Sequence, residues 1–134
     1  MSQFNIRIYG ILRDENNRIL LSDEWIRGMY ITKFPGGGLE FGEGTRDCLA
    51  REFMEELQLK VAVGKHIYTT DYFQMSAFNA AHQIISIYYE VAALEPIKVP
   101  IRQHPFDFDE QQRSIYQATG EIETPRFVDW ETFG

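Results

Sequence analysis

Three glutamates, Glu52, Glu55 and Glu56, follow Arg51 in the run Arg51-Glu52-Phe53-Met54-Glu55-Glu56, downstream of the glycine-rich segment Gly36-Gly37-Gly38-Leu39-Glu40-Phe41-Gly42-Glu43-Gly44. On a helix turning about 100° per residue the three carboxylates share an arc of roughly 100°, and Leu49, Ala50, Phe53 and Leu57 fill the neighbouring arc. One face is acidic and the next is apolar. Each like-charged pair one turn apart costs roughly 0.2–0.5 kcal/mol, so the acidic face calls for a counter-charge, and a divalent cation supplies it. Carboxylate oxygens suit Mg²⁺ or Mn²⁺, whose shell is commonly completed by water and substrate phosphates. The ion would also invert the local field and let an acidic site receive an anionic substrate. Taken alone, such a helix is more often a solvated face laced with ion pairs. What separates it from that reading is its place after the glycine segment, with Gly37 six residues before Glu43 and Glu43 eight before Arg51.

Two phosphate-loop readings fail on their own terms. Gly37 and Gly42 have P-loop spacing, but Glu43 stands where the lysine should be and would repel a phosphate. A dinucleotide fingerprint from Gly36 and Gly38 needs a third glycine where Phe41 stands.

The stretch from Gly37 to Leu59 resembles the Nudix box. Gly37, Glu43, Arg51, Glu52, Phe53, Glu55, Glu56 and Leu59 all fit its pattern, and Gln58 stands where that family has glycine. A left-handed helix end there costs a residue with a side chain about 1 kcal/mol, unless the helix ends differently. The approach Phe34-Pro35-Gly36-Gly37-Gly38-Leu39-Glu40 and the late strand around Phe127-Val128-Asp129-Trp130 are similar to the family as well. The resemblance implies an α/β/α sandwich with a mixed β-sheet and hydrolysis of a diphosphate bond in a nucleoside diphosphate linked to another group, with Mg²⁺ or Mn²⁺ required. It implies Glu52 and Glu56 as first metal ligands, Glu55 as sharing the metal or polarising the attacking water, and a backbone carbonyl of Gly36 or Gly37 completing the shell. Arg51 is expected to pair with Glu43 and, with Gly37, to support the site. Arg7 and Lys33 are candidate phosphate contacts, with Arg27 behind them, and Asp71, Glu90, Asp107, Glu110, Glu121 and Glu123 are outside candidates for the general base. Two other readings stay open: a nucleotide sensor of the same fold that does not cleave, and an isoprenoid diphosphate isomerase, for which Cys48 inside the helix is poorly placed.

These residues need elements to hold them. Phe4 to Arg13, the turn Asp14 to Asn17 and Arg18 to Leu21 read as a β-hairpin. Met29 to Phe34 is extended and stops at Pro35. Thr45 to Leu57 has neither Gly nor Pro and a helical period. Val61 to Phe73 and Gln83 to Leu94 are strands by their β-branched and aromatic content. Glu95 to Pro105 is an irregular connection, Phe106 to Ala118 a loop or short helix, and Gly120 to Trp130 a last strand weakened by Pro125. The second covering helix of the family is not evident before Gly134. Either Phe106 to Ala118 replaces it, a second subunit covers that face in a homodimer, or the sheet is left more open, and the second helical layer is accordingly expected to be reduced.

Composition bounds the rest. With 134 residues, 44% hydrophobic and 14% aromatic, the chain reads as a single globular domain over 1–134. A net charge of -7, with no basic run, argues against a nucleic-acid polymer as partner and leaves a small nucleotide-type substrate. The most apolar stretch, Ile84 to Leu94, is broken by Ser86 and Glu90 and is too short to span a bilayer. The lone Cys48 leaves the fold independent of oxidation, which suits the cytoplasm.

Overall fold

The computed structural model describes residues 2–133. The fold is mixed α/β and forms two compact units, Met1–Leu12 with Gly36–Ile97 and Arg13–Pro35 with Lys98–Gly134.

The first unit is built on a four-stranded mixed sheet. Its strands are β1 (Gln3–Leu12), β4 (Gly36–Gly38), β5 (Val61–Thr69) and β6 (His82–Ala93), in the order β4-β1-β6-β5. β1 runs parallel to β6, while β4 and β5 are antiparallel to their neighbours. Helix α1 (Thr45–Leu57) packs on this sheet with the face that the sequence period marks as apolar: Cys48, Leu49, Phe53 and Leu57 are buried together with Ile8, Leu12 and Val91. Gly10 makes the close packing feasible. A Cβ there would lie 2.6 Å from Val91 and 2.7 Å from the Phe53 ring, so any side chain at residue 10 would push the helix off the sheet. β5 is bulged between Val63 and Tyr68. Arg46 on α1 answers the bulge by donating to the Val63 and Gly64 carbonyls at 2.9 and 2.7 Å and stacking over the Tyr89 ring.

The end of α1 carries a strained residue. Gln58 adopts the left-handed conformation, φ 51° and ψ 38°, its N–H donates to the Met54 carbonyl, and Leu59 turns into the core. Of the two outcomes expected for a non-glycine residue here, the helix keeps the left-handed end and bears its cost.

The second unit holds a three-stranded antiparallel sheet, β3-β2-β7, made of β2 (Arg18–Ile26), β3 (Met29–Lys33) and β7 (Glu121–Asp129). A two-residue turn with positive φ at Arg27 and Gly28 joins β2 to β3. Helix α2 (Glu110–Thr119) begins in a capping box between Asp109 and Gln112 and ends at Gly120 in the left-handed region. Tyr116 lays its ring on Trp25, with centroids 3.5 Å apart, and its hydroxyl accepts from the Gly28 N–H. Asp23 is fully buried and fully engaged: Oδ1 accepts from Thr32, and Oδ2 from Arg126 at 2.6 Å and from the Phe106 N–H. A four-residue helix α3 (Trp130–Phe133) follows β7.

Several expectations change. The hairpin across Asp14 to Asn17 is reduced to one bridge, Arg13 with Ile19, because β1 and β2 join different sheets. The glycine segment is not wholly a loop, since Gly36–Gly38 forms the edge strand β4. β5 ends at Thr69, short of Phe73. Phe106 to Ala118 resolves into a loop followed by α2, a ten-residue helix against the thirteen of α1. Pro125 lies in the middle of β7, where it is tolerated because β7 is an edge strand, and its carbonyl accepts from Arg102. Among the described residues no helix is long and apolar enough to cross a membrane.

Candidate functional site

The acidic face of α1 meets β4 at the edge of the four-stranded sheet, and β4 is where a missing side chain matters most. A Cβ on Gly37 would lie 2.5 Å from Glu52 Cδ and 2.6 Å from each of its carboxylate oxygens. The Glu52 carboxyl thus occupies the space a side chain at residue 37 would need. Gly36 is constrained twice over, by φ of 150° and by the Ile8 carbonyl, which passes where its Cβ would be.

Arg51 organises the carboxylates. Its guanidinium donates from Nε and Nη2 to the two oxygens of Glu43, at 3.0 and 2.7 Å, in the bidentate arrangement that binds carboxylate most firmly. Nη1 donates to Glu52 Oε1 at 3.0 Å and to Glu55 at 3.1 Å, and Nη2 also reaches the Gly38 carbonyl at 3.2 Å. Glu40 approaches Nη1 to 3.7 Å. Glu43 in turn accepts from the Glu40 N–H at 2.9 Å, which closes the loop Glu40–Glu43 back onto the helix. The Arg51 hydrogen bonds, followed by that backbone N–H, hold the Glu43 carboxyl down at about 2, and the same partnership raises the Arg51 guanidinium.

One guanidinium faces four carboxylates here, so the cluster stays electronegative. Glu56, one turn beyond Glu52, has its Oε2 buried from solvent, while Glu55 is 57% exposed and held by Arg51. The donors are all oxygens, with no nitrogen or sulfur ligand among them, which matches the preference of hard divalent cations. In their present positions the carboxylates are spread around Arg51, and among the described residues no three His, Cys, Asp or Glu side chains are gathered as a ready metal cage. Cys48 lies beneath the cluster with its thiol donating to the Gly38 carbonyl at 3.6 Å; burial first, then Glu43, push it up to about 12. It is a protonated packing group with no thiolate to offer.

The two candidate phosphate cations have different surroundings. Arg7 pairs in register with Gly38, and its Nη1 would lie 3.3 Å from a Cβ on that glycine. Its Nε donates to Tyr9, whose ring stacks on Tyr88 at 5.5 Å. Lys33 belongs to the second unit and has Glu24 at 3.5 Å and Glu123 at 3.7 Å, with Ser22 donating to Glu123. Burial raises the Glu24 carboxyl, partly countered by Lys33. Of the outside base candidates, Asp71 accepts from Tyr68 and Glu123 is occupied by Ser22 and Lys33. Arg27 sits in the β2–β3 turn. Sequence reasoning missed Gly38, whose carbonyl collects Arg51 and Cys48, and Glu40; the run of three glycines was the only signal that could have marked the former.

Comparison with known proteins identifies the fold and the family. Solved structures of similar fold include the E. coli ORF135 protein, at 20% identity and a TM-score of 0.62 over 77% of this chain and 71% of that one. A NUDIX hydrolase from Nitrosomonas europaea matches at 18% identity and 0.67 over 96% and 74%. An ADP-ribose pyrophosphatase from Streptococcus suis matches at 17% and 0.53 over 74% and 67%. At these identities the likeness is one of fold. The sequence itself matches the family model for the NUDIX domain over residues 3–132, and the chain, with its glycine strand and Arg-Glu-x-x-Glu-Glu helix, belongs to that family.

Proposed function

We propose that this chain hydrolyses a diphosphate bond in a nucleoside diphosphate linked to another group, with residues 1–134 acting as one domain and Mg²⁺ or Mn²⁺ as cofactor. The observation that carries the reading is the Glu52 carboxylate seated in the side-chain space of Gly37, inside a cluster whose four carboxylates outnumber its single guanidinium. Membership of the NUDIX family and the pyrophosphatase among the solved structures support the same class of reaction.

Glu52 and Glu56 are the first ligands in this proposal, Glu55 the third, and a carbonyl of Gly36 or Gly37 the backbone donor. When bound, a divalent cation would neutralise phosphate charge and acidify a coordinated water. The protein's own part is positional. Arg51 stays on Glu43 through its bidentate pair and gives up its one bond to Glu52 and its two from Nη1 to Glu55, the latter at small cost because Glu55 is largely solvated. Glu55, freed from Arg51, is the group within the box able to take a proton from water. Arg7, beside Gly38, is the preferred contact for a substrate phosphate; Lys33 belongs to the second unit, where Glu24 and Glu123 share its charge. A cytoplasmic location completes the proposal and rests on the single free cysteine. The isomerase reading loses ground, because the buried Cys48 is held protonated.

The test is a panel of ADP-ribose, dinucleoside polyphosphates, nucleotide sugars and nucleoside triphosphates with Mg²⁺ or Mn²⁺, products identified by chromatography. The expected result is release of a nucleoside monophosphate or phosphate ester from at least one of them, and loss of that activity in Glu56→Gln. Tight calorimetric binding of a nucleotide with no cleavage would instead make the protein a sensor.

A further inference from the structure

From Tyr72 to Tyr89 the chain carries no Asp, Glu, Lys or Arg, although these make up 25% of its residues. At that density roughly four would be expected in such a stretch. The part of it that joins β5 to β6 turns large side chains to water: Phe73 is 70% exposed, Tyr72 58%, Met75 52% and Phe78 41%, and Phe4 on β1 is 67% exposed. Phe4 joins this segment through Gln83, which pairs with Phe4 in the parallel register of β1 and β6 and with Met75 in an antiparallel bridge. It is also held in shape. Ser76 N–H donates to His82, Ile84 N–H to Gln74 and His82 N–H to Asn79, at 3.0, 2.8 and 3.0 Å, and the Asn79 side chain accepts from Ala81 at 2.9 Å.

We propose that this surface is a two-fold interface between copies of the chain. Two copies that each carry a net charge of -7 repel, and close approach costs least across a patch without acidic groups; this is the longest uncharged stretch in the sequence. Its make-up, aromatic and methionine side chains with no charge, is that of an interface core. From the full area of aromatic side chains, the five residues expose roughly 600 Å² together. That is most of the ~800 Å² each partner contributes to a standard interface, and it is at the upper end of the largest patch a monomer carries. The hydrogen-bonded loop lowers the ordering cost of association. A lipid surface is the poorer occupant, since anionic headgroups would repel the chain and the stretch offers no Lys or Arg to them. The inference does not depend on the hydrolase reading.

Light scattering on the eluting protein at micromolar concentration tests it. The expected mass is twice the 15.7 kDa of the chain. Phe73→Glu, which puts two like charges into the interface, is expected to weaken the dimer by about a hundredfold with an unchanged far-ultraviolet circular dichroism spectrum. Ile115→Glu, on the exposed side of α2, should leave it dimeric. A wild-type monomer across that range overturns the proposal, and so does a dimer that survives both Phe73→Glu and Met75→Glu. A monomer that pellets with phosphatidylcholine vesicles would assign the patch to lipid instead.

Discussion

Replacing Gly37 by alanine tests the site at the atom where it is tightest. The added Cβ would lie 2.5 Å from Glu52 Cδ and 2.6 Å from both oxygens, whereas carbon contacts begin at about 3.5 Å. Glu52 must therefore retreat by about 1 Å. Its side chain is only 14% exposed and tied to Arg51, so the retreat carries it away from the position proposed for metal binding. A misplacement of ~1 Å in a catalytic assembly costs about 100-fold in rate, or ~2.7 kcal/mol of transition-state stabilisation. Backbone strain adds little, because residue 37 does not have positive φ, and the melting temperature is expected to stay within a few degrees. The assay is kcat/KM on whichever substrate the wild type turns over best, with Mg²⁺ titrated in parallel so that lost affinity and lost rate are separated. Gly38→Ala is the milder comparison: its Cβ would meet the Arg7 guanidinium at 3.3 Å and Asn5 at 4.0 Å and no carboxylate of the cluster, so it disturbs the proposed phosphate contact without moving Glu52, and the loss should stay under about tenfold. An alanine variant at residue 37 with wild-type kcat/KM and wild-type metal dependence would refute the reasoning, since Glu52 would then not need its place.

Three further predictions concern the scaffold. Gln58→Gly relieves the left-handed strain at the end of α1 and should raise stability by about 0.5–1 kcal/mol, read as a higher denaturant midpoint at constant slope; an unchanged midpoint would mean the residue is not strained. Asp23→Ala strands Arg126 and removes the acceptor of Thr32 and the Phe106 N–H. It should destabilise the protein by about 3–5 kcal/mol in urea unfolding, and a loss below 1 kcal/mol would contradict the role given to that pair. Glu43, held at about 2 against an ordinary 4.5, contributes stability that is whole above pH 4.5 and drains away as pH falls toward 2. Glu43→Gln should therefore be the less stable protein near neutrality, with the two acid-unfolding curves converging through that window, and curves that stay parallel across it would show that Glu43 is not the group responsible.

The helix bounds Thr45 and Leu57 were legible because nothing between them breaks a helix and the apolar period runs throughout. The glycine strand was not, since strand signals reside in side chains and β4 has none. Turn chemistry at Asp14 to Asn17 announced a reversal correctly, yet it carries no information on which sheet each flanking strand will join, and β1 and β2 went to different ones. α2 was ambiguous for the same reason at longer range: what holds it is the Tyr116 ring on Trp25, ninety-one positions earlier in the chain. At the candidate site, the resemblance to the Nudix box implied the pairing of Glu43 with Arg51, and the two are hydrogen-bonded. That Arg51 also gathers Glu52, Glu55 and the Gly38 carbonyl depends on side-chain rotamers and the path of β4. The neighbours of Lys33 could not be foreseen either, as Glu24 and Glu123 reach it from two strands far apart in sequence.

Binding of Mn²⁺, followed by the electron paramagnetic resonance of the free ion, tests the central claim most directly. The wild-type protein is predicted to take up at least one ion per chain, with uptake abolished in Glu52→Gln/Glu56→Gln while the circular dichroism spectrum is unchanged. Equal uptake by that double variant, or none by the wild type with or without a nucleoside diphosphate present, would contradict the assignment of the α1 carboxylates as a metal site.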